Sequence, residues 1–341
     1  NYKREGLDVN LSFPVNFNNI SATGTNNLDK TLNKVTYEPR LFMRYDLTSF
    51  WKFSTFAGIT NSFGSINDVY NGFILLSAKN LSSRNTDIQQ TRSNFVGSRL
   101  EYRNPLNNIF FNVSYNFNDR TNNVTFLNEL DEASQQFIIK GYNLENNSKT
   151  NSARTELGKY FPKFKTNASV GYNYSLNNYQ QLPANSTPTE SSFIDVEGVN
   201  QGVSVKFNNN YFSWLSVDYN ANWNFNNTKS PDDARFNNKT NSFNHALSAY
   251  VYPFKNHTLG FTWDELHSSN RERTAKNAFF DLSYQYSMSE EKIDLELKVL
   301  NITNNNVFEN VTFNSTFNQT SYTTVNIRPR QVVLTLKFNF K

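Results

Sequence analysis

The chain has 341 residues, no Cys, 2 Met, 31 Phe and 18 Tyr, with 18% charged residues and a net charge of +4. No run of about 18 apolar residues exists, which excludes a helical membrane span. The Lys and Arg are scattered rather than gathered in a stripe, which removes the electrostatic basis for a nucleic-acid partner, and the lack of Cys excludes disulfides and thiol chemistry.

Strand and turn formers dominate over helix formers, so the composition reads as all-β. A mean hydropathy of -0.65 is compatible with a membrane barrel, because only alternate residues of each strand face lipid and the loops are polar. The chain opens NYKREGLDVN with no visible signal peptide. An exported protein requires one, so the sequence predicts a mature product or, preferably, a fragment lacking its N-terminal part.

Leu7, Val9, Leu11, Phe13, Val15 and Phe17 alternate without a break and predict the first strand, followed by an Asn/Thr-rich loop to about Asn33. Strands follow over about 35–47 and 52–63, then a long segment over 64–91. The cycle repeats with a strand near 94–102, a short turn at Arg103–Asn108, and a partner carrying Phe111, Val113, Tyr115 and Phe117. A loop over about 119–149 contains a strand-like piece at Gln136–Tyr142. The strand over 152–160, the turn at Phe161–Lys163 and the strand Ala168–Leu176 come next, then a Pro/Ser/Thr loop over about 177–197. Val203–Phe207 and Leu215–Phe225 flank the turn Asn208–Asn210. A loop near 226–240 precedes a strand ending at Pro253–Asn256, then Leu259–Trp263 and Ala278–Tyr286. The turn Ser289–Glu291, the strand Ile293–Val299 and an Asn/Thr loop lead to the last strand within Arg328–Lys341, where Val332, Leu334, Leu336, Phe338 and Phe340 share one face.

About fourteen strands of bilayer-spanning length result. Short connections alternate with long ones along the chain, as in barrels with short periplasmic turns and long outer loops. A soluble sandwich has no reason to keep two loop classes in strict alternation. With the C-terminus on the periplasmic side, Phe50, Trp51, Tyr160, Phe161, Tyr211, Phe212, Trp214, Phe254 and Tyr286 gather beside the short turns, like an interfacial girdle. The fold class read from the sequence is therefore an all-β, transmembrane, antiparallel up-and-down barrel spanning 1–341.

Val299-Leu300-Asn301-Ile302-Thr303-Asn304 closes the penultimate strand, Arg328-Pro329-Arg330 precedes the last, and Phe338 and Phe340 end it. This combination resembles the C-terminal end of TonB-dependent outer-membrane receptors, most nearly the Asn-rich barrels common in Bacteroidota. Lys341 departs from the pattern, because the family usually stops on the aromatic residue. The resemblance implies that these are about the last fourteen strands of a 22-stranded barrel with a plug, and that Phe338 and Phe340 form the barrel assembly signal. It implies active uptake of a nutrient ligand, with outer-membrane lipid, plug, TonB, the barrel assembly machinery and a surface lipoprotein as partners, and no cofactor. Were the chain complete, a fourteen-stranded passive porin or lipid channel is the alternative.

Alternation places Asp281, Gln285, Asp294, Glu296 and Lys298 opposite the apolar rows, as lumen-facing candidates for plug or substrate contact or as a wetted wall with charge pairs. The stretch His267-Ser268-Ser269-Asn270 resembles the His-x-Ser-Asn motif of outer-membrane phospholipases, but a third group orienting His267 is not identifiable, and the expectation is no enzyme. His245, His257 and His267 with Asp264 and Glu265 match no compact metal-ligand spacing.

Overall fold

The computed structural model describes residues 2–24, 28–77, 80–131, 134, 136–183, 187–288, 293–314 and 319–338. Its strands are β1 (Tyr2–Arg4), β2 (Leu7–Ser12), β3 (Val15–Gly24), β4 (Leu28–Tyr37), β5 (Arg40–Asp46), β6 (Trp51–Phe63), β7 (Ile74–Ser77), β8 (Asn80–Ser83), β9 (Gln90–Asn104) and β10 (Ile109–Asn122). There follow β11 (Thr125–Asp131), β12 (Gln136–Tyr142), β13 (Asn146–Phe161), β14 (Thr166–Gln181), β15 (Ile194–Asn209) and β16 (Leu215–Lys229). The chain finishes with β17 (Asn238–Val251), β18 (His257–Ser269), β19 (Thr274–Met288), β20 (Ile293–Leu300), β21 (Val307–Asn314), β22 (Gln319–Asn326) and β23 (Gln331–Phe338). One short helix, α1 (Ile66–Val69), lies between β6 and β7.

Fifteen strands form one antiparallel sheet in the order β1-β2-β5-β6-β9-β10-β13-β14-β15-β16-β17-β18-β19-β20-β23. The order follows the chain, as an up-and-down meander requires. One strand more is present than the sequence predicts, because Tyr2–Arg4 turns at Glu5-Gly6 to pair with β2; Gly6 takes the positive φ of 74° that this turn needs. Among the described residues, β1 and β23 form the two edges and do not pair with each other.

Register sorts side chains onto two faces. Across β19, β20 and β23, Tyr284, Leu297 and Leu334 stand in one row, while Gln285, Glu296 and Thr335 stand in the adjacent one. The same sorting runs through the middle strands, where Tyr172, Val203 and Trp223 share a row and Asn173, Gly202 and Asn224 share the next. The apolar face is widely exposed: Leu157 is 55% accessible, Val170 53% and Leu334 62%. Few apolar side chains are buried, and most of these sit at the loop end rather than between layers, as with Val69 and Ile88 or Ile194 and Phe236.

The described parts of several long connections form strands, contrary to their reading as loops. β3 and β4 pair over ten residues, and β2 with β3 and β4 with β5 each make one strand interrupted by a proline. Pro14 and Pro39 lack the N–H that would continue the ladder, and the Glu38 N–H donates to the Pro14 carbonyl at the break. The β3–β4 hairpin packs Ile20, Ala22 and Leu32 on Val69 and Ile88. β11, β12, β8 and β7 make a separate four-stranded sheet, and the strand-like piece predicted at Gln136–Tyr142 is β12. β21 and β22 form a further antiparallel pair. The connection between β18 and β19 is only Asn270–Arg273, where the Asn270 side chain accepts from the Glu272 and Arg273 N–H groups. The strict alternation of short and long connections therefore fails at this one place. The predicted turn at 289–291 and the terminal Phe340 lie outside the described residues.

Candidate functional site

The polar face of the sheet carries the chemistry. Along β14 to β17 it is a ladder of amides: Asn173 donates to Asn200 at 3.4 Å, Asn200 bonds Asn226, and Asn226 donates to Thr240 Oγ1 at 3.3 Å. These rows come from period two, since Asn or Ser fills alternate positions while Val, Tyr and Phe fill the others. Glycines on the same face accept bulky neighbours: Gly158 lies under the Phe110 ring and Gly260 beside the Tyr250 ring.

Cavities open on this face at both ends. At the short-turn end, one of about 1020 Å³ is bordered by Arg44, Lys52, Arg99 and Arg103, with Glu101 and the rings of Phe42 and Phe110. Arg99 pairs with Glu101 at 2.5 Å and Arg44 with Asp46 at 3.6 Å, so the border carries more cations than carboxylates. At the loop end, a cavity of about 390 Å³ lies between the wall and the β21 hairpin. The hairpin is fastened there by side chains of the polar face. Asn277, buried, donates to the Glu309 carbonyl at 2.7 Å and accepts from the Glu309 N–H at 2.9 Å, and Ser268 Oγ accepts from the Val311 N–H at 3.1 Å.

The predicted lumen-facing residues share the polar face. Asp281 accepts from the Asn301 N–H at 2.6 Å and so fixes the start of the loop after β20, a structural duty. Lys298 pairs with Glu296 at 2.9 Å, Gln285 stands opposite Glu296, and Asp294 stands opposite Ser287 and Lys337. Phe338 lies on the apolar face and is 53% accessible.

His267 and Ser269 do share a face, opposite Phe243 and Asn241. The Ser269 hydroxyl turns to the Asn241 carbonyl at 3.5 Å, and among the described residues no hydrogen bond joins it to His267. His245 and Glu265 meet across β17 and β18 at 3.6 Å, with Lys276 3.1 Å from the same carboxylate, beneath the Trp263 ring. That trio on the apolar face was not legible in the sequence, because only register brings it together. His257 is at the other end of the sheet, bonded to Tyr284 at 2.7 Å. Among the described residues no group of three His, Cys, Asp or Glu converges as a metal site.

Charge pairs brace the loop end. The Arg235 guanidinium hydrogen-bonded to Asp233 holds that carboxyl below its ordinary range. The hydrogen bond to Glu129 holds the Lys140 ammonium above its ordinary value, and burial pushes the neighbouring Tyr142 hydroxyl up. Tyr322 is raised by its hydrogen bond to Glu309 and lies under the Arg273 guanidinium at 4.6 Å.

No protein-family model matches the sequence, and no curated protein does. Solved structures are similar. A variant of the ferric enterobactin receptor PfeA from Pseudomonas aeruginosa superposes with a TM-score of 0.52 at 10% identity, covering 89% of this chain and 46% of that one. The same receptor in complex with BCV-L6 gives 0.52 at 9% identity, with 89% and 47% covered, and a variant in complex with enterobactin gives 0.50 at 9%, again with 89% and 47%. The chain thus spans about half the length of the receptors it matches. At this level of identity the likeness establishes the fold: a large antiparallel sheet of the kind that forms the wall of outer-membrane receptor barrels.

Proposed function

We propose that the chain is the barrel wall of an outer-membrane receptor that takes up a nutrient ligand. The observation that carries this reading is the apolar face. It runs across the fifteen-stranded sheet with large side chains such as Leu157, Val170, Leu282 and Leu334 exposed, opposite a face of amides and charges. Water does not tolerate a contiguous apolar surface of that extent, and lipid does. The aromatic rings at the short-turn end, among them Phe212 packed against both Tyr211 and Trp214, suit the membrane interface.

In this reading the polar face looks into the lumen, where Asp281, Gln285, Asp294, Glu296 and Lys298 contact a plug or its ligand. The residues are the closing strands of a 22-stranded barrel, in accord with the half-length match to solved receptors. TonB acting on the plug drives uptake, the assembly machinery reads Phe338 and Phe340, and a surface lipoprotein is a further partner by analogy.

The test is expression in a Gram-negative host with its outer membrane isolated. The intact protein is expected in that fraction, with heat-modifiable gel mobility and detergent-dependent solubility. A monodisperse soluble protein without detergent would sink it. Ligand uptake by the intact protein that persists without TonB would replace the receptor with a passive channel.

A further inference from the structure

At the loop end of the polar face, β21 lies across β17, β18 and β19 and encloses the cavity of about 390 Å³. From the wall come Asn226, Thr240, Ser242 and Asn244; from the hairpin come Phe308, Asn310 and Thr312. Among the described lining residues there is no carboxylate, Lys or Arg. The one titratable residue there, His267, stands in the row of Phe243 and Lys276 on the opposite face of the sheet, so its ring points away.

This lining selects a chemistry. Each Asn offers one acceptor and two donors, and each Ser or Thr offers both roles. Asn226 is already bonded to Asn200 and Thr240, and Asn310 accepts from Ser268, so the groups left to a ligand are chiefly those at the mouth, Asn244 and Thr312. A charged ligand would lose its hydration with no countercharge among the described lining residues, and an apolar one would desolvate the Asn244 amide and the Thr312 hydroxyl. A ligand dense in neutral hydroxyls satisfies both roles at once. Phe308 adds an apolar surface for the C–H face of a ring. The volume sits near the lower end of small-ligand sites, which run from about 300 to 1,000 Å³. The cationic cavity at the short-turn end has the opposite character, with Arg44, Lys52, Arg99 and Arg103 on its border.

We propose that the cavity beneath the β21–β22 hairpin binds a neutral, hydroxyl-rich ligand, the end of an uncharged oligosaccharide. This deepens the receptor reading, on which it rests for the route of entry, while binding itself is measurable whether or not uptake occurs. Asn277 and Ser268 fix the hairpin and are positioning residues. Asn244 and Thr312, both exposed to the cavity mouth, are the contact residues to alter.

The intact protein, purified in lauryldimethylamine oxide micelles to avoid sugar headgroups, is titrated calorimetrically with maltohexaose, cellohexaose, xylohexaose and mannohexaose. Hexagalacturonate serves as the charged counterpart. At least one neutral probe is expected to bind saturably and hexagalacturonate not to bind. Asn244→Ala and Thr312→Val should each weaken binding about tenfold, the worth of one hydrogen bond, with heat-modifiable mobility retained. Arg44→Ala, in the other cavity, should leave it unchanged. No binding by any neutral probe, equal binding of hexagalacturonate, or affinity unmoved by both variants would overturn the proposal. Binding without membrane insertion would end the receptor reading alone, and insertion with TonB-driven uptake but no binding would end this one alone.

Discussion

Single positions on the polar face set how closely neighbouring strands share space. Gly158 leaves room for the Phe110 ring of the adjacent strand, and a Cβ built there would collide with the ring's Cζ. Gly158→Val is therefore expected to destabilise the protein by about 1–3 kcal/mol, the usual cost of overpacking; urea unfolding in micelles with an unmoved midpoint would contradict this. Asp233 gives a pH signature. Its carboxyl is held low by Arg235, so the pair's contribution is complete above the ordinary Asp value of about 3.9 and fades as pH falls through the lower folded value. A carboxyl-resolved NMR titration should find Asp233 titrating below ordinary Asp and moving up in Arg235→Gln, and coincident curves would refute it. Neither pairing was legible in the sequence. Alternation assigns Phe110 to the polar face but does not say which residue of β13 lies opposite it.

At the scale of elements, period two located the strands well wherever apolar and polar residues alternated strictly, as in Ala168–Leu176 and Leu215–Phe225. It failed where Asn and Thr occupy both faces. Residues 18–24 and 28–33 read as a loop yet pair within β3 and β4, because a hairpin resting on α1 needs only Ile20, Ala22 and Leu32 as its apolar row. The tight Asn270–Arg273 connection was hidden because the strands on either side continue as polar sequence beyond the apolar band. The β21–β22 hairpin depends on one buried amide. Asn277→Ala leaves the Glu309 N–H and carbonyl without their partner, and should raise amide hydrogen exchange across 307–312 by about tenfold or more while β14–β16 keep their protection. Unchanged exchange in the hairpin would mean that Asn277 does not hold it.

For the whole molecule, the fold was legible because one rule, an apolar row beside a polar row, runs from strand to strand. What register adds is pairing, such as His245 with Glu265 and Asn200 with Asn226, which no single strand reveals. Val203 and Ser204 are neighbours in mid-strand on opposite faces. Val203→Arg should cost about 2–4 kcal/mol in lipid and Ser204→Arg close to nothing; equal losses in vesicle-based unfolding would deny the facing assigned to them. The most direct test of the wall uses the absence of native Cys. Single cysteines from Val199 to Phe207 are spin-labelled in the membrane-inserted protein, and collision with oxygen and with a water-soluble nickel chelate is measured. Strict alternation is expected: oxygen accessibility at 199, 201, 203, 205 and 207, and chelate accessibility at 200, 202, 204 and 206. Uniform chelate accessibility along β15, or a period other than two, would contradict it.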